Sequence, residues 1–326
     1  MTGFIIDSPW LPGFAGISTL DYYSSEQLWF EANRKAIDTF PEIIFLPGFW
    51  SEFGMCTEPS AFGSKCIWTQ HDLPHAEKII EDLSMIKDLR KPDPKTDGLL
   101  PFVIQRLRLN QSKMKKLGHE SRFAVSRGPL NIASFLMGTT GLMLNMAMYP
   151  EEIQHLLDIV SEFICDWLLF QKENFPGVDG IFILDDLVGF IGEDDFNTFA
   201  LPVMQKIFHA FESTVRFFHN DAQGLICSKY LHQIGINLFN FSFEHTVDEI
   251  QDLAGPEVKL IGNLPPRDVL AAADPERVRR ETELLFHSVT RKENIIWSCG
   301  GGLPPGVPIE NIRVFTATIN RLSTST

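Results

Sequence analysis

Three residue types with metal chemistry close two apolar runs in the second half of the chain. Val215-Arg216-Phe217-Phe218 leads into His219-Asn220-Asp221, and Ile295-Ile296-Trp297-Ser298 leads into Cys299-Gly300-Gly301-Gly302. Runs of this kind read as buried strands of a parallel sheet. If the strands lie side by side, an imidazole, a carboxylate and a thiolate converge at their carboxyl ends. That set suits zinc, and three protein ligands leave a fourth position for a reactant. Taken singly, each residue has a plainer reading: a packed histidine, a helix-capping aspartate and an inert buried thiol. Their joint position at strand ends favours the metal.

The elements that must hold these residues follow an alternating pattern. Strands are expected at Phe123–Ser126, Gly180–Leu184, Val215–Phe218, Ile236–Phe241, Val258–Gly262 and Ile295–Ser298, with helices between most of them. Glu151–Asn174 carries Ile153, Leu156, Val160, Ile164, Trp167 and Leu168 at helical spacing. Asp274-Pro275-Glu276 is a helix start with Val278, Thr282, Leu285 and Val289 as its buried stripe. Before residue 123, Glu42–Leu46 is a convincing strand and Ser64–Trp68 a weak one. Lys87–Lys116 reads as a solvated helix-loop excursion. The alternation implies α/β architecture with a parallel sheet and right-handed crossovers. A single (β/α)8 TIM barrel over residues 1–326 is the favoured closure, with 1–40 as an amino-terminal extension packed on it; an open doubly wound sheet is second. In a barrel the active site lies at the carboxyl ends of the strands. Asp185, His219, Asp221, Glu244 and Cys299 all follow expected strands there.

Composition limits the partners. A net charge of −14 argues against nucleic acid, whose phosphates would be repelled. Five scattered cysteines fit a reducing cytoplasm better than a disulfide scaffold. The amino terminus lacks the basic region of a signal peptide. Leu130–Tyr149 carries no charge, but its Asn, Ser, Thr and Gly residues favour core helices over a membrane span. His71 and His75 are spaced as on a zinc helix, yet Pro74 between them breaks that geometry. The Gly300–Gly302 run lacks the Lys-Ser/Thr of a phosphate loop.

Several segments resemble a known family. Asp185-Asp186-Leu187-Val188-Gly189-Phe190-Ile191-Gly192-Glu193-Asp194-Asp195-Phe196 with Leu201-Pro202 is similar to the segment after the fourth strand of uroporphyrinogen decarboxylase. Gly262-Asn263-Leu264-Pro265-Pro266 resembles its Gly-Asn-Leu-Asp-Pro element. Gly302-Leu303-Pro304-Pro305-Gly306-Val307-Pro308-Ile309-Glu310-Asn311 resembles its carboxy-terminal Gly-x-x-Pro-x-x-Pro-x-Glu-Asn segment. The likeness implies a (β/α)8 barrel of the uroporphyrinogen decarboxylase-like superfamily.

That superfamily has two branches. The decarboxylases use an amino-terminal Arg-rich segment and an Asp after the first strand. Here Leu46-Pro47-Gly48-Phe49-Trp50 offers neither, which disfavours a polyanionic tetrapyrrole. The other branch consists of zinc methyltransferases that exchange a methyl group with a corrinoid (cobalamin) protein, through His-x-Cys after the fifth strand and a Cys in a later Gly-rich turn. His219 matches. Asp221 replaces the first Cys, and Cys299 lies about two residues early. A carboxylate in place of a thiolate makes zinc more electrophilic, which favours polarising an ether oxygen over activating a thiol. The resemblance therefore implies an O-demethylase methyltransferase, with a small methyl donor such as a methoxylated aromatic and a partner corrinoid protein. Alternatives are a methylcobamide:thiol (coenzyme M-type) methyltransferase, a uroporphyrinogen decarboxylase and a metal-free binding barrel. The expected roles are His219, Asp221 and Cys299 for the metal, Asp185 and Glu244 for catalysis, and Phe49, Trp50, Asp186 and Asn263 for substrate.

Overall fold

A computed structural model describes residues 1–324. Eight parallel strands form the centre: β1 (Gly3–Ile5), β2 (Ile44–Leu46), β3 (Phe123–Arg127), β4 (Gly180–Leu184), β5 (Val215–Asn220), β6 (Leu238–Phe241), β7 (Lys259–Leu264) and β8 (Ile295–Cys299). Strands β3 to β8 pair successively in parallel. Strand β1 pairs with β2 on one side and reaches β8 on the other through the bridges Thr2↔Trp297 and Ile5↔Gly302. From β2, the loop returns to β3, where the Arg127 backbone N–H donates to Glu58 Oε1 at 3.0 Å. This is the α/β TIM barrel that the alternation implied.

Both faces of the strands are apolar, as a helix-covered parallel barrel requires. Ile5, Leu46, Phe182, Leu184, Phe217, Leu238 and Ile261 fill the interior, with Trp50 lying on them. Phe182 and Phe217 stack there at 4.2 Å between centroids. The alternate residues, Ile181, Ile183, Phe218, Phe239 and Leu260, pack outward under the helices. This alternation determines which residues beyond each strand turn into the mouth.

Three expectations before residue 123 need correction. Ser64–Trp68 supplies no barrel strand; only Cys66–Ile67 pairs, antiparallel, with His75–Ala76. The missing stave is Gly3–Ile5, inside the segment expected merely to pack on the barrel. Its short apolar run is fully buried, with Phe4 and Ile5 at 0% and 1% exposure. Lys87–Lys116 is also less solvated than expected, because Leu100–Lys116 is a helix that buries Leu100, Val103, Ile104, Leu107 and Met114.

The uncharged stretch forms two helices, Pro129–Met137 and Thr139–Met148, bent by 105°. No single helix among the described residues is long and apolar enough to cross a membrane. The helix Pro150–Asn174 buries all six residues of its expected stripe. Asp274 caps Pro275–Ser288 by accepting from the Arg277 backbone N–H at 2.8 Å.

Candidate metal and substrate site at the barrel mouth

On β5, Phe217 faces the interior, so His219 does too, and Asp221 follows in the same parity. Leu184 stands opposite His219 in the register and also faces inward, which brings Asp186 to the same side. Asp186, His219 and Asp221 each offer a ligand atom, and the three atoms lie within 4.8 Å of one another. His219 Nε2 is 3.5 Å from Asp186 Oδ1 and 4.0 Å from Asp221 Oδ2. Partial burial raises the Asp221 pKa and the Asp186 charge adds to this, while His219 and Arg267 oppose it.

Asn240 fixes the imidazole. Its Nδ2 donates to the backbone oxygens of Ile261 at 2.7 Å and Cys299 at 3.4 Å. The amide oxygen is therefore the atom that meets His219 Nδ1, at 2.7 Å. An acceptor there fixes the Nδ1–H, so Nε2 is the ring nitrogen turned toward the two carboxyl groups. Three ligand atoms this close could hold a cation between them. Nitrogen and oxygen donors in this arrangement suit zinc, with the amide as orienting partner.

Cys299 has the opposite parity. Ile296 packs against the interior cluster, whereas Trp297 and Cys299 belong to the outer layer. The thiol is fully buried and donates to the Gly301 oxygen at 3.3 Å. Burial pushes it up to about 12, and the Asp221 charge contributes to the rise. The glycine turn after it abuts Asp221: a Cβ on Gly301 would meet Asp221 Oδ2 at 2.6 Å. Cys299 thus lies beside the triad, and Asp186 takes the place expected of it.

The other expected residues separate. Asp185, expected to be catalytic, faces outward and is 0% exposed. It accepts the backbone N–H groups of Leu130 at 2.8 Å and Asn131 at 3.1 Å, at the start of the helix Pro129–Met137. Burial holds its carboxyl well above the usual carboxylate range, against the pull of those two donors. Gly128 leaves room for it, since a Cβ there would come within 2.4 Å of Asp185. The carboxylate anchors a helix. Glu244 is exposed in the turn after β6 and is not one of the three clustered ligands. Phe49 packs sideways on Phe30, stacked at 5.5 Å, and so belongs to the core under the first helices. Trp50 lies over the barrel interior, 5.8 Å from Phe182. Asn263 is buried within β7 and donates to the His245 oxygen at 2.6 Å, tying the loop after β6 to that strand.

A second polar group on the rim was missed. Asp7 follows β1, Glu52 and Glu58 follow β2, and Arg127 ends β3. Arg127 bonds Glu52 Oε2 at 2.8 Å, Ser8 Oγ donates to Glu52 Oε1 at 2.9 Å, and the guanidinium lies 5.4 Å from the Trp50 ring. The Asp7 carboxyl is raised well above its ordinary value by burial and by Glu52, with Arg127 opposing. The signal was an acid after a four-residue apolar run, hidden because that run was not read as a strand.

Comparison with known proteins agrees with this architecture. A family profile described as uroporphyrinogen decarboxylase (URO-D) matches residues 13–322. A uroporphyrinogen decarboxylase of Actinobacillus succinogenes is 24% identical over 283 residues, 82% of this chain and 76% of that protein. One from Chloroherpeton thalassium is 29% identical over 183 residues, 54% of this chain and 50% of that protein. Among solved structures, a methyltransferase from Methanosarcina mazei superposes with a TM-score of 0.79 at 17% identity, covering 98% of this chain and 94% of that one. A B12-independent methionine synthase from Shewanella sp. W3-18-1 gives 0.52 at 10% identity, covering 93% and 91%.

Proposed function

The chain belongs to the uroporphyrinogen decarboxylase (URO-D) family, and from that premise we propose that it is a zinc-dependent methyltransferase. It moves a methyl group between a small substrate, an O-methyl ether such as a methoxylated aromatic, and a separate corrinoid protein. The observation that carries this reading is the Nε2 atom of His219, oriented by Asn240 toward Asp186 and Asp221. His219, Asp186 and Asp221 would hold the zinc. Bound there, zinc would act as a Lewis acid on the heteroatom that carries the methyl group.

The chain's own groups prepare that step. Asn240 keeps the imidazole aimed. Gly301 leaves space for the Asp221 carboxylate, and Asp185 anchors the helix beside the Asp186 loop. The aromatic floor of Trp50, Phe182 and Phe217 keeps water from beneath the reacting groups. Phe190, 69% exposed, and Phe243, 41% exposed, stand on the loops after β4 and β6. Exposed aromatics at the mouth suit the docking of a partner that must bring its cobalt to the substrate. Five unpaired cysteines support a reducing cytoplasm as its location.

The decarboxylase reading suits the names of the relatives but not the rim. A polyanionic tetrapyrrole would face Asp7, Glu52, Glu58, Asp186 and Asp221, with Arg127 already engaged by Glu52. The test is metal analysis of untagged protein prepared without chelator, followed by the cobalt absorbance of a corrinoid protein mixed with methoxylated aromatics. Zinc near one equivalent and methyl transfer are expected. A metal-free protein, or zinc retained in His219→Ala, would count against the assignment.

A further inference from the structure

The two polar groups of the rim are continuous. Arg127 stands opposite Leu184 in the register, one residue before Asp185 and two before Asp186. On the other flank, Ile5 bridges Gly302 and accepts from the Leu303 backbone N–H at 3.0 Å, so the turn after Cys299 runs onto the strand that ends at Asp7. Asp7, Glu52, Glu58 and Arg127 therefore form the far wall of the same mouth.

That wall has more carboxyl groups than guanidiniums, and burial raises two of them, Asp7 and Glu58, above the ordinary carboxyl value. It holds the carboxyl groups of Asp7, Glu52 and Glu58 against two guanidiniums, those of Arg127 and Arg106. Arg127 is committed to Glu52 at 2.8 Å. Arg106 points its donors at the backbone oxygens of Glu52 and Tyr23 and lies over the Phe53 ring at 4.4 Å. Two buried carboxyl oxygens are left with no hydrogen-bond partner: Asp7 Oδ1 and Glu58 Oε2. Glu58 is 4% exposed and its other oxygen holds the Arg127 backbone, so the free oxygen belongs to this wall. Tyr23 is 2% exposed, and its hydroxyl lies in the field of Glu52 and Asp7 beside Ser8. Buried acceptors are rarely left unmatched, and each unmet one costs about 1–3 kcal/mol.

We propose that this wall binds a cationic nitrogen, an ammonium or protonated amine carried by the substrate at the end remote from its methyl-bearing heteroatom. The inference rests on the methyltransferase reading for the orientation of the substrate, but not for the charge it selects. An ammonium supplies both a balancing charge for these carboxyl groups and N–H donors for Asp7 Oδ1 and Glu58 Oε2. A carboxylate at the same place would meet Asp7 and Glu58 with no free guanidinium to offset them. Aromatic acids are disfavoured on this account, and aminated or otherwise cationic ethers are preferred.

The test uses the full chain loaded with zinc and three matched probes: 3-methoxybenzylamine, 3-methylanisole and 3-methoxybenzoate, titrated calorimetrically at pH 7. The amine should bind at least about tenfold more tightly than the neutral ether, and the benzoate more weakly than either. Asp7→Asn and Glu58→Gln, checked by circular dichroism for an intact fold at pH 7, should each shrink the preference. Equal affinities, a tighter benzoate, no binding by any probe, or a preference intact in both variants would overturn the subsite. Repeating the titrations in potassium chloride and in Tris chloride separates an inorganic ion from the substrate nitrogen. Loss of amine binding in potassium alone would assign the wall to the ion and end the substrate proposal. Binding is read without turnover, so a charge preference in a protein that transfers no methyl group would sink only the methyltransferase reading. Methyl transfer without the preference would sink only the subsite.

Discussion

The two arcs of the barrel mouth are both rich in acceptors, yet they handle charge differently. Near β4 and β5 the acids are open: the Asp186 and Asp221 side chains are 39% and 43% exposed, and they face the Nε2 of His219. Near β1, β2 and β3 the charges are buried and partly neutralised inside the chain, with Glu52 6% and Arg127 15% exposed. A group that is to receive a metal must keep its lone pairs free and reachable. A group that recognises the inert end of a substrate does better when desolvated, where each interaction is stronger and more selective.

The sharpest way to break this comparison is His219→Ala. Removing the one nitrogen ligand should abolish zinc retention and cost on the order of 10³-fold in methyl transfer, because several kcal/mol of charge stabilisation disappear with the metal. Elemental analysis and the cobalt absorbance assay read the two effects on one sample. Next in size is Asn240→Ala, which touches no metal position. Loss of the Nδ1 acceptor frees the ring to take the wrong tautomer, and metal affinity should fall about 10–100-fold. A competition titration with a coloured zinc chelator measures it; unchanged affinity would show that the tautomer argument is wrong.

The neighbouring aspartates Asp185 and Asp186 sharpen it further. Asp185→Asn should destabilise the fold by about 1–3 kcal/mol, since an amide cannot accept both the Leu130 and Asn131 N–H groups as a carboxylate does. Zinc affinity should stay near that of the unmodified protein. Asp186→Asn should do the reverse, weakening zinc with little change in melting temperature. If both substitutions act alike, the parity assignment fails.

These two residues also show how much was legible beforehand. Seven of the eight staves announced themselves as apolar runs, six of them alternating with helical patterns, and His219 and Asp221 were visible as strand-end candidates for metal ligands. What could not be read was which of two adjacent acids turns inward. That depends on the register of β4 against β5, where Leu184 pairs with His219, and a shift of one residue exchanges the two faces. The same parity explains Cys299, chosen for its chemistry but carried on the outward face of β8. The Asp7 wall was hidden for a different reason. A three-residue strand at the chain start has too few positions for a period to show, and its pairing with β2 is non-local.

The smallest expected effect concerns that wall and follows from the sign of its titration. The folded state holds Asp7 above its ordinary carboxyl value, through burial and the Glu52 charge, with Arg127 opposing. Such a group favours folding while protonated. Its contribution is complete below the unfolded carboxyl pKa, about 3.9, and is lost as pH rises through the folded value. Asp7→Asn, which cannot ionise, should therefore gain in melting temperature over the unmodified protein at pH 8 and match it near pH 4. If Asp7→Asn tracks the unmodified protein across the whole range, the carboxyl is not buried against Glu52. The contrast between a desolvated wall and an open metal arc would then collapse.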